Sequence, residues 1–299
     1  MSLSKLRDQL LSTVLGSADS VDLLITALLA RGHALVTGPP GIGKTTLAHT
    51  LATSLSGSFR RVQFTPDLLP SDILGYNLYR QQSGEFEFIP GPVFANLLLA
   101  DEINRASPRT QSSLLEAMNE RQVTIDGETR ELPDPFLVVA TQNDTSSTGT
   151  FPLPEPQLDR FLLSIPMSLP DDQTQLEILR YHSEQPKVEV EPVIDLDPLK
   201  SLQDQSATLP VSDTLQRYLL ALCQAVRATL GQDHSVSTRA TLALQRASQA
   251  AALLDGRSEV HPDHVQNIFP FVLRHRLLAE ETPDADSLLA NALEQTPVP

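Results

Sequence analysis

A glycine-rich run that ends in Lys-Thr can wrap a phosphate. Residues 38 to 45, Gly38-Pro39-Pro40-Gly41-Ile42-Gly43-Lys44-Thr45, fit G-x-x-x-x-G-K-[ST] at every position. The glycines open backbone conformations closed to residues with a Cβ, so successive N–H groups can turn inward around an anion. Lys44 offers a point charge to β- and γ-phosphates, and the Thr45 hydroxyl offers a ligand to Mg²⁺. The context agrees with the spelling. Ala34, Leu35 and Val36 read as a short strand, and Thr46 to Leu55 reads as a helix whose positive end faces the loop.

A second chemical pair is Asp101-Glu102, directly after the apolar run Leu97 to Ala100. Such a run is what a strand buried on both faces of a parallel sheet shows, and ligands bind at the carboxyl edge of such sheets. There Asp101 can hold Mg²⁺ and Glu102 can polarise the water that attacks a γ-phosphate. Phe136 to Ala140 reads as the next buried strand and ends in Thr141-Gln142-Asn143. The Asn143 amide can both donate to a γ-phosphate and accept from the attacking water. Alone, an Asn at a strand end is more often a turn residue.

The elements that must position these groups alternate between strand and helix. Helices are expected over residues 3–15 and over Val21 to Leu29, the second stopped by Gly32 as its C-terminal cap. Phe59 to Phe64 and Phe161 to Ile165 read as further strands, giving a parallel sheet of five. Tyr76 to Tyr79 and Phe86 to Ile89 flank a turn and suggest a hairpin, and Asp126-Gly127 within 122–132 is a strong hairpin signal. Ser107 to Met118, with Pro108 in its first turn, reads as a helix. Pro166 to Pro170 reads as a linker. Beyond it the chain reads as helical over 171–183, 213–230, 237–254 and 261–279, with a loose segment at 184–210. Ser237 suits a helix N-cap, and Arg239 in the first turn opposes the helix dipole, which hints at a phosphate. His261 and His264 have helical spacing, but Pro262-Asp263 between them marks a helix start, so capping and surface roles are expected rather than a metal.

Composition narrows the function classes. The chain has 37 acidic and 22 basic residues, a formal charge of -15, with no basic domain. Such a surface repels nucleic acid in general. One cysteine, Cys223, excludes an intrachain disulfide and a cysteine-based metal cluster, and suits a reducing compartment. There is no 18-residue apolar run and no leader-like start, so no membrane span and a cytoplasmic location are expected.

These features together resemble an AAA+ ATPase, and the stretches Phe64 to Asp72, Gly91 to Asn96, Asp101 to Ala106, Leu114 to Met118 and Leu158 to Phe161 resemble the MoxR family in particular. The resemblance implies an α/β P-loop core with a parallel five-stranded sheet flanked by helices over 1–166, with hairpin inserts near 72–92 and 122–132. A smaller all-helical lid domain over 167–299 would follow. It implies ATP and Mg²⁺ as ligands, held by Gly38 through Thr46 and by Asp101. Lys44 and Thr45 match the Walker A pair and Asp101 and Glu102 the Walker B pair. Asn143 matches sensor 1, Arg239 sensor 2, and Arg160 the arginine finger that serves a neighbouring subunit. A homo-oligomeric ring, by family habit a hexamer, is implied, with a partner that carries a von Willebrand factor A domain and a role in remodelling other proteins. A nucleic-acid motor is the alternative, and the acidic balance and the acidic hairpin (Glu85, Glu87) weigh against it. The sensor 2 element departs from the family pattern in having Thr238 where proline is usual.

Overall fold

The apolar runs expected as strands do pair. The computed structural model describes residues 2–142, 150–184, 190–230, 236–278 and 284–299. In chain order its elements begin α1 (Ser2–Thr13), α2 (Ala18–Leu29), β1 (Ala34–Thr37), α3 (Lys44–Ser54) and β2 (Phe59–Gln63). There follow α4 (Pro70–Leu74), β3 (Gly75–Arg80), β4 (Glu85–Pro90), β5 (Leu97–Asp101), a 3₁₀ turn (Ile103–Arg105) and α5 (Pro108–Glu120). Next come β6 (Gln122–Ile125), β7 (Glu128–Glu131), β8 (Leu137–Gln142), α6 (Glu155–Leu158) and β9 (Leu163–Pro166). The remainder is helical: α7 (Asp172–Glu184), α8 (Leu196–Ala207), α9 (Asp213–Leu230), α10 (Thr238–Leu254), α11 (Pro262–Leu278) and α12 (Ala285–Gln295).

The parallel sheet has five strands in the order β2-β5-β8-β1-β9. Strand β5 is buried along its whole length, as its Leu-Leu-Leu-Ala composition requires, while β2 at the edge exposes Arg60 and Arg61. Register sets Val62 beside Ala100 and Gln63 beside Asp101, and Leu99 and Ala100 beside Val139 and Ala140. The two insert hairpins form as expected. β3 pairs antiparallel with β4, and β6 with β7. The hairpins also hold each other: Asn77 Nδ2 donates to Asp126 Oδ2 at 2.8 Å, and the Arg130 guanidinium lies 4.1 Å from the centroid of the Phe88 ring.

Contacts group the chain into two compact units, one of residues 1–17, 35–153 and 166–196, the other of 18–34, 154–165 and 197–299. This grouping differs from a single cut at residue 166. Helix α2 belongs with the second unit because its apolar residues Val21, Leu24, Ile25 and Leu28 are buried on a helix that packs against α10. In that second unit α10 also packs on α9 and α11, and α12 on α9 and α11.

The structure corrects the sequence reading in three places. The segment expected to be loose contains α8, since Pro198 falls in the first turn, where a missing N–H costs nothing. Helix α12 was not anticipated; Asp284 caps it by accepting from the Ser287 N–H. The end of α2 is a Schellman motif in which Arg31, not Gly32, takes the left-handed conformation at φ 52°. Its two signature bonds run from Gly32 N–H to Ala27 O and from Arg31 N–H to Leu28 O. Gly32 is needed for space instead. A Cβ there would lie 2.5 Å from the Leu162 Cβ.

That contact yields a stability prediction. Gly32→Ala should destabilise by about 1–3 kcal/mol, the usual cost of overpacking, read as a lower urea midpoint. An unchanged midpoint would show that Leu162 gives way freely.

Candidate functional site

Strands β5, β8 and β1 are neighbours in a parallel sheet, so Asp101, the Thr141-Gln142 pair and the loop after Thr37 arrive at one edge. This is the edge at which open α/β sheets bind ligands. The loop takes the shape its glycines allow. Gly38, Gly41 and Gly43 have φ of 140°, 81° and 95°, and Gly43 is the N-cap of α3. At Gly38 space also matters, since a Cβ would lie 2.2 Å from the Met167 carbonyl oxygen. Pro39, Pro40, Gly41 and Thr46 are exposed, Ile42 and Thr45 are half-buried, and Lys44 is buried.

The Lys44 ammonium donates to the carbonyls of Gly38 at 2.6 Å and Gln142 at 3.4 Å. It thereby ties the loop to the end of β8. Asp101 is 5 % exposed, and its carboxylate accepts from the side chains of Thr141, Thr45 and Arg61. Thr141 Oγ1 donates to Oδ1 at 2.7 Å, and Thr45 Oγ1 to Oδ2 at 3.3 Å. Arg61 from β2 donates to the same Oδ2 through Nε at 3.0 Å and a terminal nitrogen at 2.6 Å. Glu102 sits just past the strand in the left-handed region at φ 55°. Its N–H donates to Thr141 Oγ1 at 2.9 Å, and its Oε2 accepts from Arg105 at 2.9 Å. One threonine hydroxyl therefore orients both carboxylate residues.

The arrangement fits a nucleotide with a divalent cation. A carboxylate and a hydroxyl 3.3 Å apart form an oxygen-only donor pair of the kind Mg²⁺ takes, completed by substrate phosphates and water. A buried ammonium resting on two carbonyls can exchange them for phosphate oxygens. Among the described residues no group of three or more His, Cys, Asp or Glu is placed to hold a metal.

Of the residues singled out from sequence, Lys44, Thr45, Asp101 and Glu102 are brought to this edge. Asn143 lies outside the described residues. Arg160 and Arg239 belong to the second unit. Arg160 is half-buried and donates to the Pro156 carbonyl at 3.0 Å, while Arg239 is an exposed residue in the first turn of α10, whose N-cap Ser237 accepts from Ala240 N–H. Sequence reading missed Arg61, Thr141 and Arg105 as site residues. For Arg61 the signal exists only once β2 is paired beside β5, because a basic residue on an exposed edge strand otherwise reads as solvated. Arg105 and Thr141 stood within quoted stretches, but spacing alone gave them no partner.

Outside this site, the expected capping role of the histidine pair and the burial of Cys223 hold, whereas the expected surface place does not fit His264, which is 2 % exposed. His264 is buried and its Nδ1 accepts from the His261 backbone N–H at 3.0 Å, so it caps α11. Cys223 is a free thiol in the core, and burial pushes its pKa up, which keeps it a protonated, inert apolar group.

Comparison with known proteins agrees with this geometry. Residues 33–163 match the ATPase family associated with various cellular activities, and 221–296 match the AAA lid domain. The chain is 42 % identical to the uncharacterized protein YeaC of Bacillus subtilis, over 97 % of this chain and 91 % of that one. It is 40 % identical to Chaperone MoxR1 of Mycobacterium tuberculosis, over 92 % of this chain and 75 % of that one. A crystal structure of a candidate ATPase from Cytophaga hutchinsonii superposes with a TM-score of 0.89 at 34 % identity, covering 100 % of this chain and 95 % of the other. No described helix is long and apolar enough to cross a membrane. With MoxR-named relatives at this identity along nearly its whole length, and a phosphate loop and paired carboxylates assembled at one sheet edge, the chain belongs to the MoxR family of AAA+ ATPases.

Proposed function

We propose that this ATPase is a chaperone that couples ATP hydrolysis to the remodelling of a partner protein, and that it works as a homo-oligomeric ring, a hexamer, in the cytoplasm. The observation that carries the hydrolytic part is the contact of Thr45 with Asp101, with Lys44 and Glu102 at the same edge. The chaperone part is supported by likeness to a relative named Chaperone MoxR1. A protein with a von Willebrand factor A domain is the partner implied by the family resemblance.

In this reading Gly38 to Thr46 cradle the ATP phosphates, and Lys44 leaves the Gly38 and Gln142 carbonyls for β- and γ-phosphate oxygens. Thr45 and Asp101 would hold Mg²⁺, which would supply charge neutralisation to the phosphates. Glu102 takes a proton from the water whose oxygen bonds to the γ-phosphorus while the bond to the ADP oxygen breaks. Arg105 and Thr141 fix where that carboxylate stands. Asn143 orients the water or the γ-phosphate, Arg239 serves the phosphates of its own subunit, and Arg160 reaches the ATP of a neighbour. Hydrolysis alters what these groups can hold, and that change drives the partner.

Glu102→Gln should keep ATP binding and lower turnover by roughly 10²- to 10⁴-fold, the usual worth of a positioned general base. Lys44→Ala should weaken nucleotide binding itself. Equilibrium binding of a fluorescent ATP analogue, measured beside steady-state phosphate release, separates the two. Full turnover in the Glu102 variant would remove it from the mechanism.

Arg160→Ala should cost roughly 10³- to 10⁵-fold in turnover at concentrations where the chain assembles, as fingers do in other phosphoryl-transfer enzymes. Analytical ultracentrifugation of the same samples checks that assembly persists. Wild-type turnover in an assembled Arg160 variant would refute the finger in trans. Pull-down with Glu102→Gln held in ATP and Mg²⁺ tests the partner: retention of a von Willebrand-type protein that Lys44→Ala abolishes is expected, and retention of nucleic acid alone would favour a motor.

A further inference from the structure

The second unit contains a deeply buried charged residue. Arg276, near the end of α11, has a side chain only 2 % exposed, and its partner Asp159 is 16 % exposed. Burying an ion pair in this way stabilises little against an apolar alternative, because both ions lose water. What the pair provides is direction. All five N–H donors of the guanidinium are used. Nε donates to Asp159 Oδ1 at 2.7 Å, one terminal nitrogen donates to the carbonyls of Leu162 at 3.3 Å and Val272, and the other to those of Phe161 at 2.8 Å and Asp159 at 3.4 Å. Four of the five bonds therefore clamp the stretch 159–162 around Arg160 onto α11. His275, beside it, touches the Phe161 carbonyl from the same helix, and burial next to Arg276 keeps its ring neutral.

The other oxygen of Asp159 points to a different element. Oδ2 accepts from the Ser237 hydroxyl at 3.0 Å, and that hydroxyl in turn accepts from the Ala240 N–H at 3.1 Å as the N-cap of α10. Arg239 stands in the first turn of the helix so capped. A single carboxylate thus joins the residue before Arg160 to the start of the helix that carries Arg239, with Arg276 as a fixed anchor beneath both.

We propose that Asp159 is a positioning residue that mechanically couples Arg160 to Arg239, so that what Arg160 holds in a neighbouring subunit alters how Arg239 holds nucleotide in its own. The Asp159–Ser237 hydrogen bond is the transmitting contact, and Arg276 holds the stretch 159–162 to α11. This rests on the finger and sensor roles given above.

Ser237 is the place to cut the link without removing the buried pair. Ser237→Asp keeps a good N-cap but sets a like charge against Asp159, whereas Ser237→Thr keeps both the cap and the hydroxyl donor. ATPase kinetics of the full chain at assembling concentration, with urea denaturation of each variant, make the test. Ser237→Asp should raise KM for ATP and lower kcat together, each roughly tenfold, as losing one charge-assisted hydrogen bond would. Ser237→Thr should restore both. A merely structural role would shift the urea midpoint and leave kcat and KM of the folded protein in place, which overturns the proposal; so does a change in KM with kcat unaltered. Arg160→Ala and Arg239→Ala run in parallel keep the two readings apart. If both are impaired while Ser237→Asp is not, the coupling is wrong and the roles stand. If neither is impaired, the finger and sensor roles fall and the coupling falls with them.

Discussion

A carboxylate at the end of a strand buried on every side must be compensated, and much of the first unit is arranged around that need at Asp101. The strand is buried because Leu97 to Ala100 have no polar surface to offer water, so the charge emerges where solvent is scarce. Three elements supply donors: β8 through Thr141, α3 through Thr45, and β2 through Arg61. Each of those elements is thereby fixed relative to β5 by the same group that the chemistry requires. The Thr141 hydroxyl, while donating to Asp101, also accepts from the Glu102 N–H, which helps hold a residue in the left-handed region.

The second unit solves the converse problem with a cation. Arg276 is surrounded by carbonyls and one carboxylate, and its planar fork leaves no N–H unpaired. A lysine in that place would have three donors on a flexible stem and would fix fewer of the 159–162 carbonyls. Where Asp101 ends a strand and draws its donors from regular elements, Arg276 places its charge under a short irregular segment, 159–162, that contains Arg160. Irregular backbone has unpaired carbonyls and amides, and a buried ion is an economical way to satisfy several at once.

Much of this was legible from one sequence. The phosphate loop, the strand ending in Asp101-Glu102 and the two hairpins follow from local rules, because a glycine spacing, an apolar run and an Asp-Gly turn each act within a dozen residues. What was not legible depends on partners distant in the chain. Arg61 and Asp101 are 40 residues apart, and Arg276 and Asp159 are 117 apart. Nothing in the composition of β2 or α11 marks those arginines. Gly32 shows the same limit at short range: its position suggested a left-handed cap, yet the adjacent Arg31 adopts that conformation, and Gly32 is required by Leu162, a residue remote in sequence. Helix α8 was hidden by a proline whose cost depends wholly on which turn it occupies.

The mutual hold of the two hairpins has a consequence for how such proteins diverge. Each insert looks like an independent ornament, free to change length or sequence without disturbing the core. The Asn77–Asp126 bond and the stacking of Arg130 on Phe88 make them one surface instead. Substitution at any of these four positions alters the setting of the opposite hairpin, so the two inserts are expected to co-vary among relatives. Transplanting residues 75–90 alone into a relative would then graft half of a joint. Specificity exchanged between members of the family should travel with residues 122–131 as well.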